Sequence, residues 1–285
     1  MRQSICLNMV VTGNPLGLKE SLLSIKDKID YWVIADLGLS DDAEKIIEQT
    51  LADIKGEIVA TDSSDQTISR NALIEFSKDK ADYLLMLDSN MRLNFEEPEI
   101  DWRDSLKHSS YLFVHEGAIR RITTQLISNK YSWQYVGVRR ELLACNDNSV
   151  DNKFLAGVKI QLFTDPELER QKRISDISFL QQHLSAHKDD VHALFNLAKL
   201  TMLNGDHAEA LDAFNDYLNC ADKLDPEWHW YALYHKAKLA EKLQHKIEDV
   251  IGHYETAYEF RIQRTEPLYE LARLYREQGL SLIHI

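Results

Sequence analysis

The sequence predicts an α/β domain followed by an all-α region, and three observations support this fold class. Short apolar runs alternate with helical patterns in the first part of the 285-residue chain. Within these runs apolar and polar residues do not alternate, which is typical of parallel strands covered on both faces by helices. In the second part, similar helical segments recur without intervening strands. We therefore predict an α/β domain over residues 1–164 and a helical region over residues 165–285.

Four apolar runs predict the strands: Ile5–Val11, Tyr31–Ala35, Glu57–Ala60 and Tyr83–Leu87. Between them, apolar residues recur at helical spacing. This spacing predicts helices from the series Leu18, Leu22, Ile25 and Ile29, from the series Ile47, Leu51 and Ile54, and across Arg70–Ser77. Ser40, followed by Asp41 and Asp42, is typical of an N-cap and an acidic first turn.

The helical region contains three similar segments: Ala193–Gly205, Ala232–Leu243 and Leu268–Gly279. Each has an alanine among aromatic residues and leucines, and Ala198, Ala237 and Ala272 are 39 and 35 residues apart. This period is close to the roughly 34 residues of a tetratricopeptide repeat. Partner helices are predicted at His207–Cys220 and Ile247–Arg261. An ordinary helical bundle is the alternative.

The end of the chain does not fit a complete repeat. The apolar run Leu280–Ile285 follows the first helix of the last pair, where a solenoid normally has a capping helix with a polar face. We therefore expect the sequence to be truncated at its C-terminus.

Composition excludes several function classes. The formal net charge of −13 argues against nonspecific binding to nucleic acid or an anionic membrane, because either would require a basic face. No apolar stretch approaches the roughly 20 residues of a membrane span. Cys6, Cys145 and Cys220 are too few and too far apart for a disulfide framework or a metal cluster. We expect a reduced, cytoplasmic protein without a nucleic-acid partner.

Polar residues at the strand ends are the candidate site, since ligands of parallel α/β sheets bind at the carboxyl ends of the strands. The first strand leads into Thr12–Gly17 (TGNPLG), which lacks the G-x-G-x-x-G spacing of a dinucleotide-binding turn. A Rossmann dehydrogenase is therefore disfavoured.

Five segments occur in an order that resembles family 2 glycosyltransferases: SICLNMVV from Ser4, DYWVIADLGLS from Asp30, SRNAL from Ser69, ADYLLMLDSN from Ala81 and WQYVGVRRE from Trp133. The similarity is greatest to a bacterial subgroup that joins this domain to tetratricopeptide repeats. The resemblance implies a Rossmann-like GT-A fold that binds a nucleoside diphosphate sugar, uses Mn²⁺ or Mg²⁺, and transfers the sugar with inversion.

The resemblance also assigns roles to residues. Asp36 matches the acid that binds the nucleoside, and Arg70 matches an arginine that approaches the nucleotide. Asp88 and Asn90 match the metal-binding acidic pair, with the neutral amide of Asn90 weakening the site because divalent cations prefer anionic oxygens. Glu141 matches a general base. For Asp36 a turn or helix cap, for Arg70 a surface ion pair, and for Glu141 a solvated strand-end acid are the structural alternatives.

Three positions depart from the family pattern: Asn14, Asn90 and Arg140. At position 140 the family has a histidine that can bind the metal, whereas a guanidinium cannot. We expect Arg140 to lie against the diphosphate and replace part of the missing metal charge. These departures leave two hypotheses: an active inverting glycosyltransferase, or a degenerate domain that acts as a binding or scaffolding module. The acceptor is unknown under either hypothesis, and the helical repeats could bind a protein partner.

Candidate acceptor loops lie between Asn94 and Lys130, where the sequence pattern is least regular. Trp102, Tyr111 and Trp133 could stack on a sugar ring, although buried packing explains them equally well.

Overall fold

The computed structural model describes residues 2–13, 15–61, 66–97, 99, 101–117, 121–139, 141–220 and 225–279. The chain divides into two compact units, one comprising Met1–Gly137 and Glu141–Pro166, the other Val138–Arg140 and Glu167–Ile285. The first unit is α/β and the second is helical, which confirms the predicted fold class. No described helix has the length and apolarity needed to cross a bilayer.

The first unit is built on a large mixed sheet. Its strands are β1 (Ile5–Gly13), β2 (Tyr31–Leu39), β3 (Gly56–Ala60), β4 (Tyr83–Met86), β5 (Met91–Phe95), β6 (Ser110–His115), β7 (Ile122–Ser128) and β10 (Asn152–Leu162). A separate two-stranded sheet joins β8 (Trp133–Val136) to β9 (Leu142–Cys145). The helices of this unit are α1 (Leu18–Ile25), α2 (Asp41–Thr50) and α3 (Gln66–Phe76).

The order of strands in the large sheet is β3-β2-β1-β4-β7-β6-β10-β5. The first four strands are parallel, as the apolar runs predicted, and their carboxyl ends meet at one edge. β7 is antiparallel to both β4 and β6, so the start of β7 lies beside the end of β4. The predicted candidate site therefore has a second wall, formed by β6 and β7, which the sequence pattern did not indicate.

Both faces of the sheet are covered, as predicted. On one face, Leu18, Leu22 and Ile25 of α1 and Ala43 and Ile47 of α2 pack against the apolar core. On the other face, Leu73 and Ile74 of α3 pack with side chains of β8 and β9. Each side of β1 thus meets apolar groups, which explains why its sequence does not alternate.

Several element boundaries differ from the prediction. α1 ends at Ile25 and a 3₁₀ turn follows, although Ile29 is still buried. α2 ends at Thr50, so Ile54 packs on the core from a turn. β2 continues to Leu39, because Leu39 pairs with Gly13 at the end of β1. Ser40 caps α2 as predicted, since its side chain accepts a hydrogen bond from the amide of Ala43 at 3.2 Å.

The second unit contains six helices in its described part: α4 (Pro166–Ala186), α5 (Val191–Asn204), α6 (His207–Asn219), α7 (Pro226–Lys242), α8 (Ile247–Phe260) and α9 (Glu266–Glu277). One core joins α5, α6 and α7, and a second joins α7, α8 and α9. Ala198 and Ala237 are fully buried in these cores. The run Leu280–Ile285 lies outside the described residues.

Candidate active site at the carboxyl edge of the sheet

An ion pair between α3 and the end of β4 is the centre of the candidate site. Arg70 Nη2 donates a hydrogen bond to Asp88 Oδ1 at 2.5 Å. The side chain of Arg70 is 17% exposed and that of Asp88 is 38% exposed, so the pair faces solvent from the carboxylate side. Two residues assigned to the site from the sequence are therefore in direct contact, and the carboxylate at the end of β4 is already paired with a cation.

Tyr135 on β8 belongs to the same cluster, although the sequence did not single it out. The guanidinium carbon of Arg70 lies 5.2 Å from the centre of the Tyr135 ring. Asn71 holds the backbone of Tyr135 from both sides: its Nδ2 donates to the Tyr135 carbonyl at 2.9 Å, and its Oδ1 accepts from the Tyr135 amide at 2.6 Å. Thr67 Oγ1 also donates to the Gly137 carbonyl at 2.8 Å. Positions 67, 70 and 71 are spaced as neighbours on one helix face, so α3 holds β8 in place.

The charges of this cluster reinforce each other. Burial alone would lower the pKa of Arg70, but Asp88, Tyr135 and Glu141 together raise it above its already high value. Burial raises the pKa of the Tyr135 phenol, and the carboxylates of Asp88 and Glu141 add to this effect while Arg70 opposes it. Arg70 is therefore a permanent cation, and Tyr135 is a neutral phenol at neutral pH.

Glu141, the predicted base, directly precedes β9 and interacts electrostatically with both Arg70 and Tyr135. Its Oε1 is buried and has no hydrogen-bond partner within the described chain, and the same is true of the Nε of Arg70. Buried polar atoms normally have partners. The cluster thus contains one hydrogen-bond acceptor, Glu141 Oε1, and one donor, Arg70 Nε, without a partner in the described structure. Water, or a ligand that carries hydroxyl groups, suits both atoms.

Asp36 lies at the same edge of the sheet, where its side chain stabilises the local backbone. Its Oδ1 accepts hydrogen bonds from the amides of Gly38 at 2.8 Å and Leu39 at 2.6 Å. One strand, β1, separates β2 from β4, so the carboxyl ends of these strands are roughly 10 Å apart. In the described structure no contact joins Asp36 to the Arg70–Asp88 pair. The turn role considered from the sequence is therefore observed.

Asn90 is also committed to a structural contact. Its side-chain Nδ2 donates to the Phe163 carbonyl at 3.1 Å, and its backbone carbonyl accepts from the Phe163 amide at 2.8 Å. The described residues contain no group of three or more His, Cys, Asp or Glu side chains placed to hold a metal. With Asp88 bound to Arg70 and Asn90 neutral, these side chains do not fit a divalent-cation site. Asn14 and Arg140 lie outside the described residues.

His115, at the end of β6, forms a buried polar group on the other wall of the site. It is 4% exposed, and its Nε2 lies 2.7 Å from Thr123 Oγ1, which also accepts a hydrogen bond from Gln125 Nε2 at 2.8 Å. The pairing of β6 with β7 skips Gln125, which places a β-bulge there. Burial and the charge of Arg121 lower the pKa of His115, while Asp88 opposes them. Asp88 and Arg121 therefore both act on one neutral imidazole.

The aromatic residues considered as sugar platforms are used in packing. Trp102 is 7% exposed and stacks on Phe95 with ring centres 6.4 Å apart, and Tyr111 is 3% exposed. Trp133 packs beside the core under α3, and its Nε1 donates to the Ser128 carbonyl at 3.0 Å. Within the segment from Asn94 to Lys130, residues 110–115 and 122–128 form β6 and β7 instead of loops.

No protein-family model and no curated protein sequence matches this chain. Among solved structures, S. aureus TarS 1–349 is similar over 98% of this chain and 93% of that chain, with 11% identity and a TM-score of 0.45. The structure of TarS 1–349 in complex with UDP-GlcNAc gives the same coverage and identity with a TM-score of 0.44. YrrB, a TPR protein with an unusual peptide-binding site, is similar over 38% of this chain at 15% identity and a TM-score of 0.33. The match spans 53% of YrrB, about half its length. None of these similarities assigns an activity to this chain.

Proposed function

We propose that this chain is a glycosyltransferase that takes a sugar from a nucleoside diphosphate sugar and transfers it with inversion. The observation that carries the proposal is the Arg70–Asp88 pair at the carboxyl edge of the parallel strands, with Tyr135 and the partly unsatisfied Glu141 beside it. This is the edge at which parallel α/β sheets bind ligands. The order of the five sequence segments, which resembles a GT-A glycosyltransferase, supports the same assignment.

The residues divide into a nucleoside side and a reaction side. Asp36, at the end of β2, is proposed to accept hydrogen bonds from the ribose or base. Arg70, paired with Asp88 after β4, is proposed to meet the diphosphate. The carboxyl ends of β2 and β4 are roughly 10 Å apart, a spacing that suits a nucleoside at one end and its phosphates at the other. For Arg140, which lies outside the described residues, the sequence resemblance is the basis for proposing a role in binding the phosphates.

The proposed chemistry is a single displacement. Glu141 takes the proton of an acceptor hydroxyl while the acceptor oxygen forms a bond to the anomeric carbon. The bond between that carbon and the diphosphate oxygen breaks, and the nucleoside diphosphate leaves with the electron pair. Arg70 stabilises the negative charge that develops on the leaving oxygen. Tyr135, neutral and fixed by Asn71, positions the guanidinium.

Product release tests the proposal. Incubation with a panel of UDP-, GDP- and dTDP-sugars should release nucleoside diphosphate, measured by a coupled enzyme assay with and without Mn²⁺. Glu141→Gln should reduce release by at least about 100-fold if it removes the general base. Glu75→Gln is the matched control, since Glu75 lies on the exposed side of α3 and, among the described residues, its carboxylate forms an ion pair only with the exposed Lys78 at 3.8 Å. Failure of every donor both to bind and to react would contradict the proposal.

A binding or scaffolding module is the second candidate, and a specific observation favours it. Asp36 and Asn90 each use their side chains in local structural contacts. Under this hypothesis the unmodified chain binds a nucleotide sugar without releasing product, and the double variant Asn90→Asp, Arg140→His gains release. Turnover by the unmodified chain at an ordinary enzymatic rate, on the order of 1 per second or more, would exclude this candidate.

A further inference from the structure

Building on the proposed function, we propose that Arg70 and Arg121 bind the donor diphosphate without a divalent cation. In this arrangement the two guanidinium groups supply the positive charge that a metal ion supplies in the family this sequence resembles. The diphosphate is thus neutralised by protein side chains and not by a metal ion.

A cation already occupies the carboxylate at the end of β4. Asp88 Oδ1 is 2.5 Å from Arg70 Nη2. A Mg²⁺ or Mn²⁺ ion bonded to the same oxygen would be about 4 Å from the guanidinium, given metal–oxygen distances of about 2.1 Å. The repulsion between the two cations would oppose such binding. Arg70 is not easily displaced, because it is 17% exposed and Tyr135 lies against it.

Asn90, the other side chain assigned to the metal, is a weak ligand. Asn90 offers a neutral carbonyl oxygen, and its amide is held by the backbone of Phe163. Hard divalent cations take anionic oxygens most readily. Among the described residues no further carboxylate completes a set of three ligands at this edge. A cation site here would depend almost entirely on the ligand's own phosphates.

A second arginine, Arg121, lies on the wall formed by β6 and β7. Arg121 directly precedes β7, is exposed, and forms no ion pair with another described residue. Its position is fixed by the backbone, since the His115 amide donates to the Arg121 carbonyl at 2.8 Å. β7 runs antiparallel to β4, so Arg121 and Asp88 lie at the same edge of neighbouring strands. Arg121 therefore adds positive charge there that no other described residue balances in an ion pair.

The chemistry of the two side chains suits this ligand. A guanidinium presents several N–H groups in a plane and forms paired hydrogen bonds with phosphate oxygens. Arg70 uses one nitrogen on Asp88, and its Nε is a buried donor that is unpartnered within the described residues. His115, which interacts electrostatically with Arg121 and Asp88, is neutral because burial and Arg121 lower its pKa, so it adds no competing charge. In a chain with a net charge of −13, such local cations are needed for any diphosphate to bind.

Binding measurements test the inference without relying on turnover. Isothermal titration calorimetry with UDP, GDP and dTDP should give, for the nucleotide that binds, dissociation constants in EDTA and in Mn²⁺ that agree within about threefold. Arg121→Gln should weaken binding by at least about tenfold under both conditions, as expected for a lost charged hydrogen bond. Arg276→Gln is the matched control, because Arg276 is an exposed arginine in the last turn of α9, in the second compact unit. Its affinity should equal that of the unmodified chain.

A variant at position 70 extends the test. Because Arg70→Gln leaves Asp88 without its cation, the double variant Arg70→Gln, Asp88→Asn is used, with thermal unfolding as the check on folding. It should lose at least about tenfold in affinity in EDTA. Binding that appears only with Mn²⁺, or an Arg121→Gln affinity equal to that of Arg276→Gln, would overturn the inference while leaving the proposed function standing. Absence of binding for all three nucleotides under both conditions would overturn both.

Discussion

Replacing Arg70 and Asp88 in a double-mutant cycle tests the architecture of the site before any ligand is identified. The variants are Arg70→Gln, Asp88→Asn and the combination. Two opposite charges about 4 Å apart attract each other by about 4 kcal/mol at an effective dielectric constant of 20. The 38% exposure of Asp88 allows solvent to screen this attraction, and both groups lose hydration in forming the pair. We therefore expect a coupling free energy of about 1–2 kcal/mol.

Arg70→Gln alone should be the more destabilising single change, about 2–3 kcal/mol, because it also removes the cation from the Tyr135 ring. Asp88→Asn should cost less, since the amide can still accept a hydrogen bond from Arg70. The free energy of unfolding is measured by urea denaturation of all four proteins at neutral pH. A coupling free energy within about 0.3 kcal/mol of zero would refute the pairing described here, because additive effects indicate groups that do not interact.

Three further predictions concern stability. Gly56→Ala places a Cβ 2.1 Å from the Trp32 ring, so it should lower the free energy of unfolding by about 1–3 kcal/mol and shift the tryptophan fluorescence. In the helical control Gly252→Ala the new Cβ meets nothing within 4 Å, and the free energy of unfolding should rise by about 0.5–1 kcal/mol. Burial, helped by nearby lysines, lowers the pKa of His235 to about 4, so protonation favours the unfolded chain. The free energy of unfolding should therefore fall as the pH falls from about 6.5 to 4. His235→Gln should flatten this pH dependence in unfolding curves, and an unchanged dependence of the free energy on pH would contradict the prediction. Ser40→Ala removes an N-cap and should cost about 1 kcal/mol in chemical denaturation, with Ser40→Asp as the control that retains the cap.

The parallel half of the sheet was predictable because burial on both faces leaves a direct mark on the sequence. Asn8 is the one polar amide side chain in the run Ile5–Val11, and side chains on both faces of β1 are buried. The helical unit was predictable for a similar reason, since the small residues at Ala198 and Ala237 are needed where helices pack closely. Local patterns suffice where each element meets the same kind of surface along its length.

The antiparallel strands and part of the site were not predictable from local pattern. β8 has only four residues, all half-buried or exposed, so its hydrophobic pattern is weak. Tyr135 joins the site because Asn71, 64 positions earlier, binds its backbone, and no spacing rule connects such distant residues. Likewise, Asp36 was placed at a strand end, but its role in holding the amides of Gly38 and Leu39 depends on the pairing of Leu39 with Gly13. Tertiary pairing decided these features.

The two hydrogen bonds between Asn71 and the Tyr135 backbone predict an order of assembly for the site during folding. Arg70 meets Asp88 across only 18 positions of chain, whereas Asn71 meets Tyr135 across 64. Closing the longer loop costs more chain entropy, so the ion pair should form before the tyrosine is locked against it during refolding. The Tyr135 amide donates a hydrogen bond to Asn71 Oδ1 at 2.6 Å, so its protection from exchange reports when Tyr135 reaches its place against Arg70. In pulse-labelling hydrogen exchange it should gain protection later than the amides of β1 and β4, and simultaneous protection would show that the cluster closes as one unit.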